Sequence, residues 1–254
     1  KTHKQNTKQN TQTTQQHQTN QISTMVIQQQ HKPLSVLVIG ASGRTGTLIM
    51  QQLSNNDNTQ VHAFCRDPTK FDDKSQTFYH SIVKGNALNS HDLQNAIETT
   101  NANVVVVSIA NGDSLKKTNL RTASAQALAQ VLEKQNFQHV KVVVISSSGA
   151  GTSHIKVGFG VGKVVEHVLR HILADHDGQE AAMAPFHDRS LIVRPTGLTD
   201  GNRLKYIVEF GDNDKCPTMH IDRSNVAEYV SERIVGGNSY GRIVNITGSK
   251  KLMQ

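Results

Sequence analysis

Three glycines, Gly40, Gly43 and Gly46, stand at G-x-x-G-x-x-G spacing inside the stretch LSVLVIGASGRTGTLIMQQL, residues 34–53. That spacing suits the pyrophosphate of a dinucleotide. Gly40 would let the chain turn sharply where a Cβ clashes. Gly43 would let the backbone approach the phosphates, and Gly46 would let the next helix pack closely on the strand. Free N–H groups and the positive end of the helix dipole would then face the anion. Twenty residues after Gly46, at the end of the next apolar run, stands Arg66. An NAD-selective fold usually carries Asp or Glu there for the ribose 2′-hydroxyl. An arginine instead forks onto a 2′-phosphate. Lys70, one turn on, and Arg44 inside the glycine turn add positive charge, whereas Asp67 offers a carboxylate that would suit NAD. Asn86, after Gly85, either meets an adenine edge or only closes a turn, and the small Ala110 of Ala110-Asn111-Gly112 would let a cofactor pass close to the backbone. The run Ser146-Ser147-Ser148-Gly149-Ala150-Gly151 places hydroxyls that would orient and polarise a nicotinamide or a substrate carbonyl. The alternative is a strand end whose hydroxyls satisfy a turn.

These residues need a sheet edge to hold them. Val36, Leu37, Val38 and Ile39 read as a strand buried on both faces, followed by a helix with Leu48, Ile49 and Leu53 on one side. Further strands are expected at Val61–Cys65, Ser81–Lys84, Asn103–Ala110, Val140–Ile145, Ser190–Val193 and Ile243–Thr247. Helical periodicity falls at Ser90–Thr99, about 120–135, Lys163–Ala174, and after Asp222, which reads as an N-cap ahead of Val226, Val230 and Ile234. Strands alternating with helices predict an α/β fold with a doubly wound parallel sheet (Rossmann) in one domain over residues 34–254. The Gln/Thr/Asn-rich tail, residues 1–33, is expected to be disordered. His171 and Asp175, four apart, read as a surface helix pair with no third metal ligand in view; His176 and Glu180 read as part of a solvated loop or of a substrate-pocket wall.

Composition narrows the classes. The formal net charge is +7, yet Lys1, Lys4, Lys8, Lys32 and Arg44 all precede the first acidic residue, Asp57, and no dense basic cluster follows. Nucleic acid is therefore not an expected partner. Two cysteines, Cys65 and Cys216, argue against a disulfide scaffold or a zinc site and for a reducing compartment. No apolar run has the length of a membrane span or of a signal core, so a cytoplasmic protein without a membrane partner is expected. The sequence begins at Lys1, so upstream residues or a start at Met25 are expected.

The stretches IGASGRTG, FCRDPTK, VVVISSSGAG, LIVRPTGLTDG and IDRSNVAEYV together resemble the atypical short-chain dehydrogenase/reductases. The group is the NAD(P)H-binding one similar to biliverdin IXβ reductase/flavin reductase and to NmrA-like proteins, and the resemblance covers about residues 34–250. It implies that Gly40, Ser42, Gly43, Arg44, Thr45 and Gly46 hold the pyrophosphate of NADP(H), that Arg66 and Lys70 grip the 2′-phosphate, and that Ala110 and Asn111 lie beside the cofactor. Asn86 stands where the family has the Asp of a Gly-Asp pair, and Ser147 matches the active-site serine of the flavin-reductase type. Two departures bear on the proton donor. Phe159 and Lys163 have Tyr-x-x-x-Lys spacing without the hydroxyl, and Gly197 stands where the flavin-reductase type has histidine. The expectation is hydride transfer from NADPH to a flavin, tetrapyrrole or quinone-like acceptor polarised by Ser147, with water as the proton source. The alternative, favoured by the missing tyrosine and histidine, is a non-catalytic NADP(H)-binding redox sensor or scaffold of NmrA-like type. A monomer or homodimer without metal is expected in either case.

Overall fold

Val36 to Ile39 form a strand because β-branched and leucine side chains fill both faces of the pleat at once. Val36 and Val38 enter one apolar layer, Leu37 and Ile39 the other. The computed structural model describes residues 33–71, 75–112, 114–157, 161–201 and 205–250. Nearly all of the Gln/Thr/Asn tail, and Phe159, lie outside the described residues.

The strands are β1 Leu34–Ile39, β2 Thr59–Cys65, β3 Ser81–Lys84, β4 Val104–Val107, β5 Lys141–Ile145, β6 Ser190–Pro195, β7 Gly197–Thr199, β8 Tyr206–Phe210, β9 His220–Asp222 and β10 Arg242–Ser249. The helices are α1 Arg44–Ser54, α2 Ser90–Thr100, α3 Leu120–Leu132, α4 Val161–Met183 and α5 Arg223–Gly236. The main sheet runs in the order β3-β2-β1-β4-β5-β6-β10-β8, and a small second ladder pairs β7 with β9. Every pairing of the main sheet is parallel except β10 with β8. Ile49, Met50 and Leu53 of α1 and Val226, Val230 and Ile234 of α5 cover one face. Leu93 and Ile97 of α2, Leu128 and Val131 of α3 and Met183 of α4 cover the other. This is the doubly wound α/β sheet expected from the alternation of strands and helices.

The segment after residue 174 differs from the expectation. The helix continues to Met183, and Asp175, His176, Gln179 and Glu180 are buried in it rather than solvated. Asp175 is no surface partner of His171. Its carboxylate accepts from the backbone N–H groups of Arg121 (3.2 Å) and Thr122 (3.0 Å), and from Arg121 Nη1 at 3.3 Å. It thereby caps α3 from across the interface, which explains why Asn119 makes no side-chain cap and why the first turn of α3 holds no acid. Gly178 permits the approach, since a Cβ there would stand 2.2 Å from Thr122 Oγ1.

His176 lies inside this contact. Burial, with the nearby Arg121 charge adding to it, pushes its pKa from 6.5 down to about 3. Below pH 6.5 the unfolded chain takes a proton on this ring that the folded chain refuses. Stability is therefore present above pH 6.5 and expected to fall by about 1.4 kcal/mol per pH unit on acidification through that window. His176→Gln should flatten this limb, with a difference from the wild type of about 2 kcal/mol between pH 7.5 and 5 in urea unfolding. Parallel pH profiles for the two proteins would contradict the burial of a neutral ring.

Candidate cofactor and substrate site

Strand order reverses between β1 and β4, and the glycine turn leaves β1 at that point, where open α/β sheets bind ligands. Gly40 sits at φ +82°, and a Cβ on it would meet Ser108 O at 2.3 Å. A Cβ on Gly46 would meet Gly40 O at 2.3 Å, so α1 rests directly on the turn. Gly43 donates to Gly40 O (2.9 Å) and Thr47 Oγ1 to Ala41 O (3.0 Å), closing the loop. Gly43 is the N-cap of α1; no side chain caps this helix, and no acid occupies its first turn. Ser42, Gly43 and Arg44 are exposed, with Thr45 and Gly46 buried beneath them. Arg44 Nη1 reaches Asp200 Oδ2 at 3.0 Å, and Arg223 holds the other oxygen of the same carboxylate at 2.6 Å.

At the end of β2, Arg66 and Lys70 are exposed and neither makes a salt bridge or side-chain hydrogen bond among the described residues, although the Lys70 charge acts on Asp67. Asp67 Oδ1, in contrast, accepts from Thr69 Oγ1 (2.7 Å) and Thr69 N (3.1 Å) as the cap of the turn Pro68–Lys70. Those two bonds hold its carboxyl below the usual range. Asn86 is exposed and closes its own turn, accepting from Leu88 N at 3.1 Å. Ala110 and Asn111 are exposed just beyond β4, close in sequence to the Ser108 carbonyl that abuts Gly40.

The serine loop follows β5. Ser147 is half-buried, with its hydroxyl on Ser148 O at 3.2 Å, while Ser146 and Ser148 are buried. Beneath the loop lies a charge network absent from the sequence reading. Ser146 Oγ donates to Glu180 Oε1 at 2.5 Å. Arg194, only 1% exposed, forks onto Glu180 through Nε (3.0 Å) and Nη2 (2.7 Å), and its Nη1 reaches Asp212 Oδ1 at 3.0 Å. Asp212 also accepts from the Thr152 hydroxyl and from Asn245 Nδ2 (2.7 Å), and Ser153 bonds Asn245 Oδ1 at 2.8 Å. Burial alone would lower the Arg194 pKa, but Glu180 and Asp212 outweigh it and raise the value. Burial would raise Asp212, yet the bonds from Thr152, Asn245 and Arg194 leave its carboxyl below the usual range. Gly151, at φ +59°, lets the backbone lie on the ion pair, since a Cβ would stand 2.2 Å from Arg194 Nη2. An arginine inside the otherwise apolar strand LIVRP was the one local hint of this network.

Lys163 is exposed on α4, and Gly197 begins β7 beside the imidazole of His220. Among the described residues no three His, Cys, Asp or Glu side chains gather as a metal site, and no helix is long and apolar enough to cross a membrane.

A family model described as NAD(P)H-binding matches residues 40–234. The oxidoreductase tpcG of Aspergillus fumigatus is 27% identical over 123 residues, a match spanning 44% of this chain and 44% of that relative. The match thus spans less than half of the curated relative's length. A short-chain dehydrogenase/reductase of Veillonella parvula, solved in complex with NADP, superposes with a TM-score of 0.66 at 14% identity, over 84% of this chain and 94% of that one. The anaerobillin reductase ChuY of Escherichia coli O157:H7 gives 0.65 at 13% identity, over 87% and 100%. At these identities the two structures speak for the fold.

Proposed function

Because the chain belongs to the NAD(P)H-binding family, whose model spans residues 40–234, we propose that it is an NADPH-dependent oxidoreductase acting on a conjugated small-molecule acceptor. The turn fits the group: the missing side chains of Gly40 and Gly46 let β1, the turn and α1 close tightly on one another, and the exposed N-terminal end of α1 carries no side-chain cap. Ser42, Gly43, Arg44, Thr45 and Gly46 would hold the pyrophosphate there. Arg66 and Lys70 would take the 2′-phosphate, with Asn86 toward the adenine and Ala110 and Asn111 along the cofactor. When bound, the nicotinamide supplies a hydride. Ser147 would orient and polarise the acceptor, and the Glu180–Arg194 pair holds its loop still beneath it. The acceptor is proposed to be a flavin, tetrapyrrole or quinone-like molecule. A relative described as an oxidoreductase and a structural neighbour described as an anaerobillin reductase support this class.

One observation carries the preference for NADPH. The carboxylate that would read a free 2′-hydroxyl, Asp67, has its Oδ1 tied to Thr69, while Arg66 beside it makes no salt bridge or side-chain hydrogen bond among the described residues. Titration should find NADPH at least about tenfold tighter than NADH, a gap of about 1.4 kcal/mol. Arg66→Ala should erase that gap. Equal binding of the two by the wild type would reassign the cofactor. The sensor reading keeps one observation in its favour: Gly197 offers no side chain where a donor would stand. It calls for unequal affinities for NADP and NADPH coupled to a protein partner, with no turnover.

A further inference from the structure

Gly197 stands opposite His220 in the parallel β7–β9 ladder, and Gly197 N–H donates to Met219 O at 2.9 Å. A Cβ on Gly197 would lie 3.2 Å from His220 Nδ1, so the imidazole fills the room that the glycine leaves. The ring is exposed, and neither of its nitrogens has a hydrogen-bond partner among the described residues. The neighbouring carboxylate, Asp222, faces elsewhere, accepting from Thr199 Oγ1 at 2.6 Å.

The ladder hangs from the carboxyl end of β6. Gly197 follows Pro195 by two residues, and Pro195 O accepts the N–H of Ser148 at 2.9 Å. The Ser147 loop follows β5, and the β7–β9 ladder that carries His220 follows the neighbouring strand β6, so both leave the sheet at the carboxyl ends of adjacent strands. One is a half-buried hydroxyl able to polarise, the other an unengaged imidazole able to give a proton.

We infer that His220 is the general acid of the reaction, delivering to the reduced acceptor the proton that no tyrosine supplies. The inference rests on the reductase reading. The acceptor gains a hydride, with its electron pair, from NADPH and a proton from the His220 imidazolium; NADP leaves oxidised, and water reprotonates the ring.

The test uses FMN, biliverdin and menadione as acceptors for the wild type, His220→Ala and His220→Gln. With the best acceptor, kcat should fall about 100-fold in both variants, the usual worth of a general acid. NADPH affinity should be unchanged, which shows that the variants fold, and added imidazole should restore part of the His220→Ala rate. In the NADP-loaded wild type, the ring-carbon NMR signals of His220 should shift on adding the acceptor. Wild-type turnover with undiminished kcat in His220→Ala, or an unmoved His220 signal, overturns the inference and leaves the reductase reading intact. A wild type that binds NADPH yet reduces none of the three acceptors overturns both.

Discussion

Alanine at position 40 is expected to abolish cofactor binding. Gly40 holds φ +82°, where an L side chain is strained, and the new Cβ would stand 2.3 Å from Ser108 O and 2.8 Å from Ser108 C. Neither atom is the loose end of a side chain. Ser108 N–H is bonded to Ile39 O at 2.9 Å, so yielding would pull apart the β1–β4 pairing at the crevice. NADPH affinity should drop by at least about 100-fold, more than about 2.7 kcal/mol, together with a lower melting temperature. Gly46→Ala should behave alike, because its Cβ would meet Gly40 O at 2.3 Å. Gly236→Ala, at the end of α5 with only Asn238 Oδ1 at 3.6 Å, is the control. It should keep full affinity and match or exceed wild-type stability by up to about 1 kcal/mol. Undiminished NADPH binding by Gly40→Ala would remove the turn as the pyrophosphate cradle.

The second large effect is expected at Arg194. Replacing it with methionine leaves Glu180 buried without its fork and takes from Asp212 its charged partner. Breaking a buried pair from one side costs about 3–5 kcal/mol, whereas replacing both partners by apolar groups is close to neutral. Arg194→Met should therefore be far less stable than Arg194→Met/Glu180→Leu, read as the urea midpoint at constant m-value. A single variant within about 1 kcal/mol of the wild type, or a double variant no better than the single, would mean that the pair is not held as tightly as its 2.7 Å bond indicates. Acceptor turnover should fail in both variants, because the Ser146 anchor on Glu180 is disturbed in each.

The sequence made the β1–α1 unit and the parallel sheet readable because their signals are local. A run such as Val104–Val107 is buried on both faces whatever surrounds it, and the glycine spacing reports backbone clashes within a few residues. The expected strand Asn103–Ala110 shortens to Val104–Val107, since the chain leaves the sheet to pass Gly40. The second half of α4 was not readable. Asp175 and Glu180 look solvated until Arg121 and Arg194, far away in the chain, answer them. The strand expected to end at Val193 runs on through Arg194, the penultimate residue of β6. The short β7, β8 and β9 carried no pattern long enough to register: β8 is half-exposed at the sheet edge, and the other two span three residues each.

The two sides of the site are drawn from the chain in opposite ways, and that sets how each can be inherited. Every residue assigned to the cofactor falls between Gly40 and Asn111, an unbroken segment that supplies β1, β2, β3 and β4 and reaches outside itself through Arg44, which holds Asp200. The wall around Ser147 is stitched together from Thr152, Glu180, Arg194, Asp212 and Asn245, each on a different stretch of chain. If the proposed assignment holds, a chimera that receives residues 34–112 from a relative should take that relative's cofactor preference in one recombination event. The wall around Ser147 does not move so simply, because any block short of the last strand leaves Asn245 behind and takes from Asp212 one of its partners. On the proposed assignment, cofactor use would change by exchange of a block, while the wall around Ser147 would change by coordinated single substitutions.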